Sequence, residues 1–155
     1  MTHELRITMP SDEEIVHTRA FDAPRRDVFD ALTKPELLAR WYGPPGWTVI
    51  ACESDLRPGG EWRIVTRQPN GREITQHGRF LEIVRPERFV KTERWLDWDV
   101  GEVRITTELF EREGLTTLIV SARFPSREVR DKLLASGADR DAVPHYGKLE
   151  EFLAS

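Results

Sequence analysis

From Trp47 to Phe124 the chain breaks into short runs in which polar and apolar residues alternate with period two. Turn signals separate the runs: Arg57-Pro58-Gly59-Gly60, Gln68-Pro69-Asn70-Gly71, Arg85-Pro86-Glu87, Asp97 to Gly101, and Arg112-Glu113-Gly114. Period two is the strand period, because successive side chains of a strand point to opposite faces. Tight turns can join neighbouring strands only when these run antiparallel. The stretch therefore reads as an antiparallel meander of about six strands. In one of them Val103, Ile105, Thr107 and Leu109 alternate with Glu102, Arg104, Thr106 and Glu108, which gives one dry face and one wet face. A sheet with a dry face needs a cover.

The segments on either side supply it. "EEIVHTRAFD" (13–22) reads as a first strand, and Pro24 suits the first turn of a helix whose Val28, Phe29 and Leu32 share a face. Thr33 and Glu36 have the spacing of a capping box for a second short helix through Leu37, Leu38 and Trp41. Gly43-Pro44-Pro45-Gly46 must end that helix, since proline lacks the amide donor. After the meander, Ser126 can cap a helix carrying Val129, Leu133 and Leu134, with Gly137 as its stop. Pro144 fits the first turn of a final helix with the apolar stripe Tyr146, Leu149, Phe152 and Leu153. The expected plan is α+β: a flexible polar lead over residues 1–12 and a single domain over 13–155. In that domain a curved antiparallel sheet of about seven strands grips the C-terminal helix, with two short helices after the first strand.

Composition narrows the function. At 155 residues, one domain accounts for the chain. A net charge of −4, with basic residues scattered among acids, argues against nucleic acid as a partner, which requires a concentrated basic surface. The opening "MTHELRITMPSDEE" has no signal-peptide pattern, and no window approaches an apolar membrane span, so no membrane partner is expected. Cys52 is the only cysteine and cannot form an internal disulfide, which points to a reducing cytoplasm.

The motifs of common chemistries are missing. His3, His17, His77 and His145 show no metal-ligand spacing and read as four unrelated residues, so neither a metal nor a cofactor is expected. Pro58-Gly59-Gly60 leads into the apparent strand "EWRIV" rather than a helix, which makes it a turn and not a phosphate cradle. Cys52 lies in a strand interior, as a small packed residue. Glu93 shares parity with Phe89 and Trp95, and it is the acid to watch, although a solvated or arginine-paired glutamate fits the same pattern. His77 stands beside Gly78, whose place in a strand suggests a bulge or a close backbone approach; turned inward, the imidazole could orient a ligand. The aromatics speak more strongly. Trp41, Tyr42, Trp62, Trp95 and Tyr146, with Trp47 and Trp98, could line one chamber, though any single ring would serve equally as core.

The run "RAFDAPRRDVFDALTKPELLARWYGPPGW", followed by "DLRPGGEWRI", "NGREITQHGRFLEIVRPERFVKTERW" and "TTLIVSARF", resembles the SRPBCC superfamily. It is most similar to the branch that resembles the C-terminal domain of the activator of the 90-kDa heat-shock chaperone ATPase. The resemblance spans residues 13 to 154. It implies a START-like, birch-pollen-allergen-like helix-grip fold around a hydrophobic pocket, in a superfamily of lipid and hormone carriers, aromatic polyketide cyclases, self-resistance proteins and chaperone-associated domains. It supplies no catalytic residue to carry over. Many members have a Gly-Trp pair near the terminal helix where this chain has "GADRDAVPHYGKLEEFLA", with Pro144 marking a break and Tyr146 a candidate lid. The resulting expectation is a binding protein for a hydrophobic or aromatic small molecule, with Trp41, Tyr42, Trp62, His77, Glu93, Trp95 and Tyr146 as pocket candidates. A cyclase- or hydrolase-type enzyme using the same cavity, and a chaperone-modulating interaction domain, remain as alternatives; a homodimer is left open.

Overall fold

The computed structural model describes residues 3–155; Met1 and Thr2 lie outside the described residues. The strands are β1 (Arg6–Thr8), β2 (Glu14–Phe21), β3 (Thr48–Ser54), β4 (Glu61–Arg67), β5 (Glu73–Val84), β6 (Arg88–Trp95), β7 (Trp98–Arg112) and β8 (Leu115–Arg123). The helices are α1 (Arg25–Thr33), α2 (Pro35–Trp41), α3 (Arg127–Ala135) and α4 (Ala138–Ala154). The strands form one antiparallel sheet in the order β1-β2-β8-β7-β6-β5-β4-β3. Every strand from β3 to β7 pairs with its successor, as the alternating runs require. The one long-range junction is β2 with β8, where Glu14 faces Arg123 and Phe21 faces Thr116.

The sheet curves because its ladders slip. Register shifts fall between Val49 and Ala51, between Phe80 and Glu82, and between Glu93 and Trp95, and each such irregularity bends the strand that carries it. Inside the curve, α1, α2 and α4 pack on a core that includes Phe21, Phe29, Trp41, Phe89, Leu118 and Leu149. A smaller cluster of Ile15, Val103 and Phe124 is covered by Val129, Leu133 and Leu134 from α3. Arg19 on β2 is 4 % exposed and reaches Glu150 on α4 at 3.1 Å, tying the final helix to the sheet.

The expected curved antiparallel sheet is present, with eight strands: Arg6–Thr8, within the expected lead, pairs with Val16 to Thr18 as β1. Three local expectations need correction. The Thr33–Glu36 capping box does not form. Thr33 belongs to the last turn of α1, where its hydroxyl donates to the Phe29 carbonyl at 2.7 Å, and Pro35 opens α2 after an extended Lys34. Pro24 stands just before α1, as its N-cap rather than inside its first turn. Pro144 does not start or interrupt a helix: α4 begins at Ala138 and runs through it. Burial of Ala142, Tyr146 and Leu149 against the core outweighs the lost amide donor. The α3 cap, in contrast, forms as its spacing requires, with Val129 N–H donating to Ser126 Oγ at 3.2 Å. Gly137, at φ +89°, turns the chain from α3 into α4.

Candidate functional site: a cavity between the sheet and the last helix

Sheet and helices do not meet everywhere. They enclose a cavity of about 720 Å³ lined by β2 to β8, α2, α4 and the ends of α1 and α3. Strand β6 gives it depth, because Phe89, Lys91, Glu93 and Trp95 point the same way at two-residue steps. Phe89 closes the deep end, edge-on to Phe29 and Phe80. At the mouth Trp95 pairs with Trp98 across the β6–β7 turn, with ring centroids 5.5 Å apart. The rest of the rim comes from Pro44 and Trp47, the β4–β5 turn with Gln68, Arg72 and Glu73, and the α3–α4 junction with Ser136 and Asp139.

A belt of polar groups crosses the cavity at mid-depth. Just past the end of α2, the Tyr42 hydroxyl donates to Gln76 Oε1 on β5 at 3.3 Å. Gln76 in turn supports the buried Glu93 carboxyl, which burial pushes above the usual carboxylate range while Lys91 and Gln76 pull it back. Burial also pushes Lys91 below the usual ammonium range, against the pull of Glu93. The Lys91 ammonium lies 4.0 Å from the centre of the Trp62 ring. That ring is itself pinned, because Trp62 Nε1 donates to the Thr92 carbonyl at 3.0 Å. Cys52, half-buried on β3, has its thiol pushed upward by burial, so it is a poor thiolate.

Helix α4 contributes the opposite side. His145 Nδ1 accepts the Gly43 N–H at 3.1 Å. A backbone amide can only donate, so Nδ1 is unprotonated and the ring carries its proton on Nε2. Burial, with the cationic tendencies of His17, Lys148 and Lys91 nearby, pushes His145 down to about 3 and keeps the ring neutral. Its ring lies among Trp41, Tyr42 and Tyr146, with centroids 5.0, 4.9 and 5.3 Å away. The Tyr146 hydroxyl is within 3.1 Å of His17 Nδ1, and burial lowers His17 as well. His17 and His145, read from the sequence as unrelated, therefore meet through Tyr146.

Of the pocket candidates, Trp41, Tyr42, Trp62, Glu93, Trp95 and Tyr146 all line this cavity. Trp41 is 2 % exposed with Nε1 donating to the Ala31 carbonyl at 2.9 Å, so it is wall and core at once. His77 is the exception and does not line the cavity. It follows the inward Gln76 on β5, and its cross-strand partners are Arg63 and Arg94, on the outer face. The Gly78 reading holds as a close approach: a Cβ there would stand 1.9 Å from the Thr92 carbonyl oxygen. Lys91, Gln76, His17 and His145 were missed. Parity alone marked Lys91, between Phe89 and Glu93, whereas the histidines lie 128 positions apart (145 minus 17) in unrelated motifs. Among the described residues, no group of three or more His, Cys, Asp or Glu is arranged to hold a metal ion. No helix there is long and apolar enough to cross a membrane.

Comparison with known proteins agrees with this architecture. A protein of Rhodobacter sphaeroides with a solved structure is 31% identical; the match covers 97% of this chain and 98% of that one, with a TM-score of 0.91. One from Nitrosomonas europaea is 27% identical over 94% of this chain and 97% of its own, with a TM-score of 0.84. An AHSA1 protein of Silicibacter pomeroyi, 23% identical over 91% of this chain and 97% of its own at a TM-score of 0.74, shares the fold. No curated protein matches the chain significantly. The family described as Activator of Hsp90 ATPase homolog 1-like protein matches residues 22–154. With the helix-grip architecture and a family match over nearly all of the domain, the chain belongs to the Activator of Hsp90 ATPase homolog 1-like family, within the SRPBCC superfamily.

Proposed function

We propose that this protein binds an apolar or aromatic small molecule between the curved sheet and α4. The observation that carries the reading is the cavity itself. Its volume of about 720 Å³ falls within the range of small-molecule sites, and it combines aromatic walls with a few placed polar groups, as such sites do. A core built only for stability would close such a space, because empty volume costs packing energy. The single free cysteine fits a cytoplasmic setting.

Tryptophan fluorescence provides the test, since Trp41, Trp47, Trp62, Trp95 and Trp98 all border the cavity. Titration with a panel of hydrophobic aromatic compounds is expected to quench or shift emission saturably at micromolar concentration, and native mass spectrometry is expected to find a co-purifying small molecule. A panel without a saturable response, together with a ligand-free mass, rules the reading out.

A second reading, catalysis of the cyclase or hydrolase type, is favoured by one observation. Glu93 and Lys91 stand two residues apart on one apolar wall with their ionisation displaced in opposite senses, an arrangement suited to acid–base work. Conversion of a bound compound, abolished by Glu93→Gln with binding retained, separates enzyme from carrier. The family's description names an activator of the Hsp90 ATPase. For this chain that partner stays a proposal, tested by chaperone pull-down and ATPase stimulation.

A further inference from the structure

The belt leaves two hydrogen-bond donors unused. Lys91 Nζ rests on the Trp62 ring, and among the described residues no carboxylate or carbonyl accepts from it. Glu93, its neighbour on β6, is already supported by Gln76 and does not come within ion-pair distance. His145 spends Nδ1 on Gly43, so its proton sits on Nε2, which likewise has no acceptor among the described residues. Both residues line the cavity, one from the sheet wall and one from α4. Ser54, the cross-strand neighbour of Trp62, lines it too, with a buried hydroxyl that has no partner.

Both residues are half-buried, and donors that face a cavity without a protein acceptor are normally satisfied by water or a ligand. Here both donors are also held in place: Trp62 is fixed by the Thr92 carbonyl, and the His145 ring is boxed by Trp41, Tyr42 and Tyr146. Held donors of this kind suit an oxygen acceptor carrying negative charge, while the aromatic walls suit a ring system. We propose that the ligand is an aromatic molecule with one anionic oxygen head group, seated at mid-depth between Lys91 Nζ and His145 Nε2–H, with its rings directed toward Trp95 and Trp98. This inference rests on the cavity-binding reading and adds a head-group selectivity to it. The acidic residues Asp97, Asp139 and Asp141 lie at the rim, so charge selection is assigned to the interior rather than to the entrance.

The test uses two probes of matched shape, 8-anilinonaphthalene-1-sulfonate and its neutral counterpart N-phenyl-1-naphthylamine, titrated into the full chain with tryptophan-to-probe energy transfer as readout. The wild-type protein is expected to bind the sulfonate about tenfold more tightly than the neutral probe, the scale of one charge-assisted hydrogen bond. The two probes should displace each other. Lys91→Met is expected to erase the preference while leaving the neutral probe within about threefold of its wild-type affinity, and Lys91→Arg should restore most of it. Equal wild-type affinity for both probes, or a preference that survives Lys91→Met, overturns the head-group assignment and leaves the cavity reading standing. Binding of neither probe overturns both. The wild-type comparison decides even if Lys91→Met does not fold.

Discussion

The Thr92 carbonyl holds two neighbours close. It accepts from Trp62 Nε1 at 3.0 Å and occupies the place where any side chain at position 78 would begin. Gly78→Ala puts a methyl group 1.9 Å from that backbone oxygen, so β5 and β6 must separate. A loss of about 1–3 kcal/mol is expected, read as a lower denaturation midpoint, with the Trp62 anchor and probe binding weakened together. His145 gives a second prediction at this scale. The unfolded imidazole takes up a proton near 6.5 and the folded one only near about 3, so between those values the unfolded chain holds more protons. Stability contributed by the neutral ring is therefore complete above pH 6.5 and is lost as pH falls through the window. His17 is lowered too and acts in the same direction. Denaturation at a series of pH values should show a steeper acid-side decline for wild type than for His145→Gln, which keeps an acceptor for Gly43 without the titration. Parallel curves would count against the neutral, Nδ1-accepting ring.

At the scale of elements, α4 carries a proline in its interior. Pro144 withholds an amide from the Arg140 carbonyl and crowds it, immediately before the two residues, His145 and Tyr146, that face the cavity. Pro144→Ala is expected to raise stability by about 1–3 kcal/mol and the melting temperature with it, while altering probe affinity through the neighbouring His145. A fall in melting temperature would mean that the helix had already adapted to the ring. This element also shows what the sequence could and could not convey. Ser126 was legible as a cap because side chain and amide lie three residues apart, and the β3–β8 meander was legible because period two is local. Thr33 carried the same capping signal and was misread. Burial turned its hydroxyl back to Phe29, and nothing local announces that. Arg6–Thr8 is a three-residue strand that exists only because β2 offers an edge.

For the whole molecule, occupation of the cavity should be visible as stability. A ligand present at a hundredfold its dissociation constant adds about 2.7 kcal/mol, which for a domain of this size is roughly 5–10 °C in melting temperature. Protein stripped of any co-purified compound is expected to melt lower by a comparable amount and to recover when the compound is returned; an unchanged melting temperature in both steps argues that the cavity is not the site. The aromatic walls could be anticipated because tryptophans declare themselves by type. The belt could not, since it is assembled across the fold: strand parity alone marks Lys91, and His17 finds Tyr146 only after α4 has docked. His77 was misplaced by one step of strand parity, which is enough to send a side chain through the sheet.

The junction of β2 with β8 also sets an order of events. Each hairpin from β3 to β8 joins residues close in sequence, whereas Glu14 must find Arg123 across most of the chain, and pairings so distant form slowly. During synthesis β2 waits with Ile15 and Phe21 uncovered until β8 has emerged, and α4 comes later still. The chamber is thus complete only after the β2–β8 junction has closed and α4 has docked. A compound that fits it could act on the final, slowest step of folding, and the nascent chain is most exposed to aggregation just before that step.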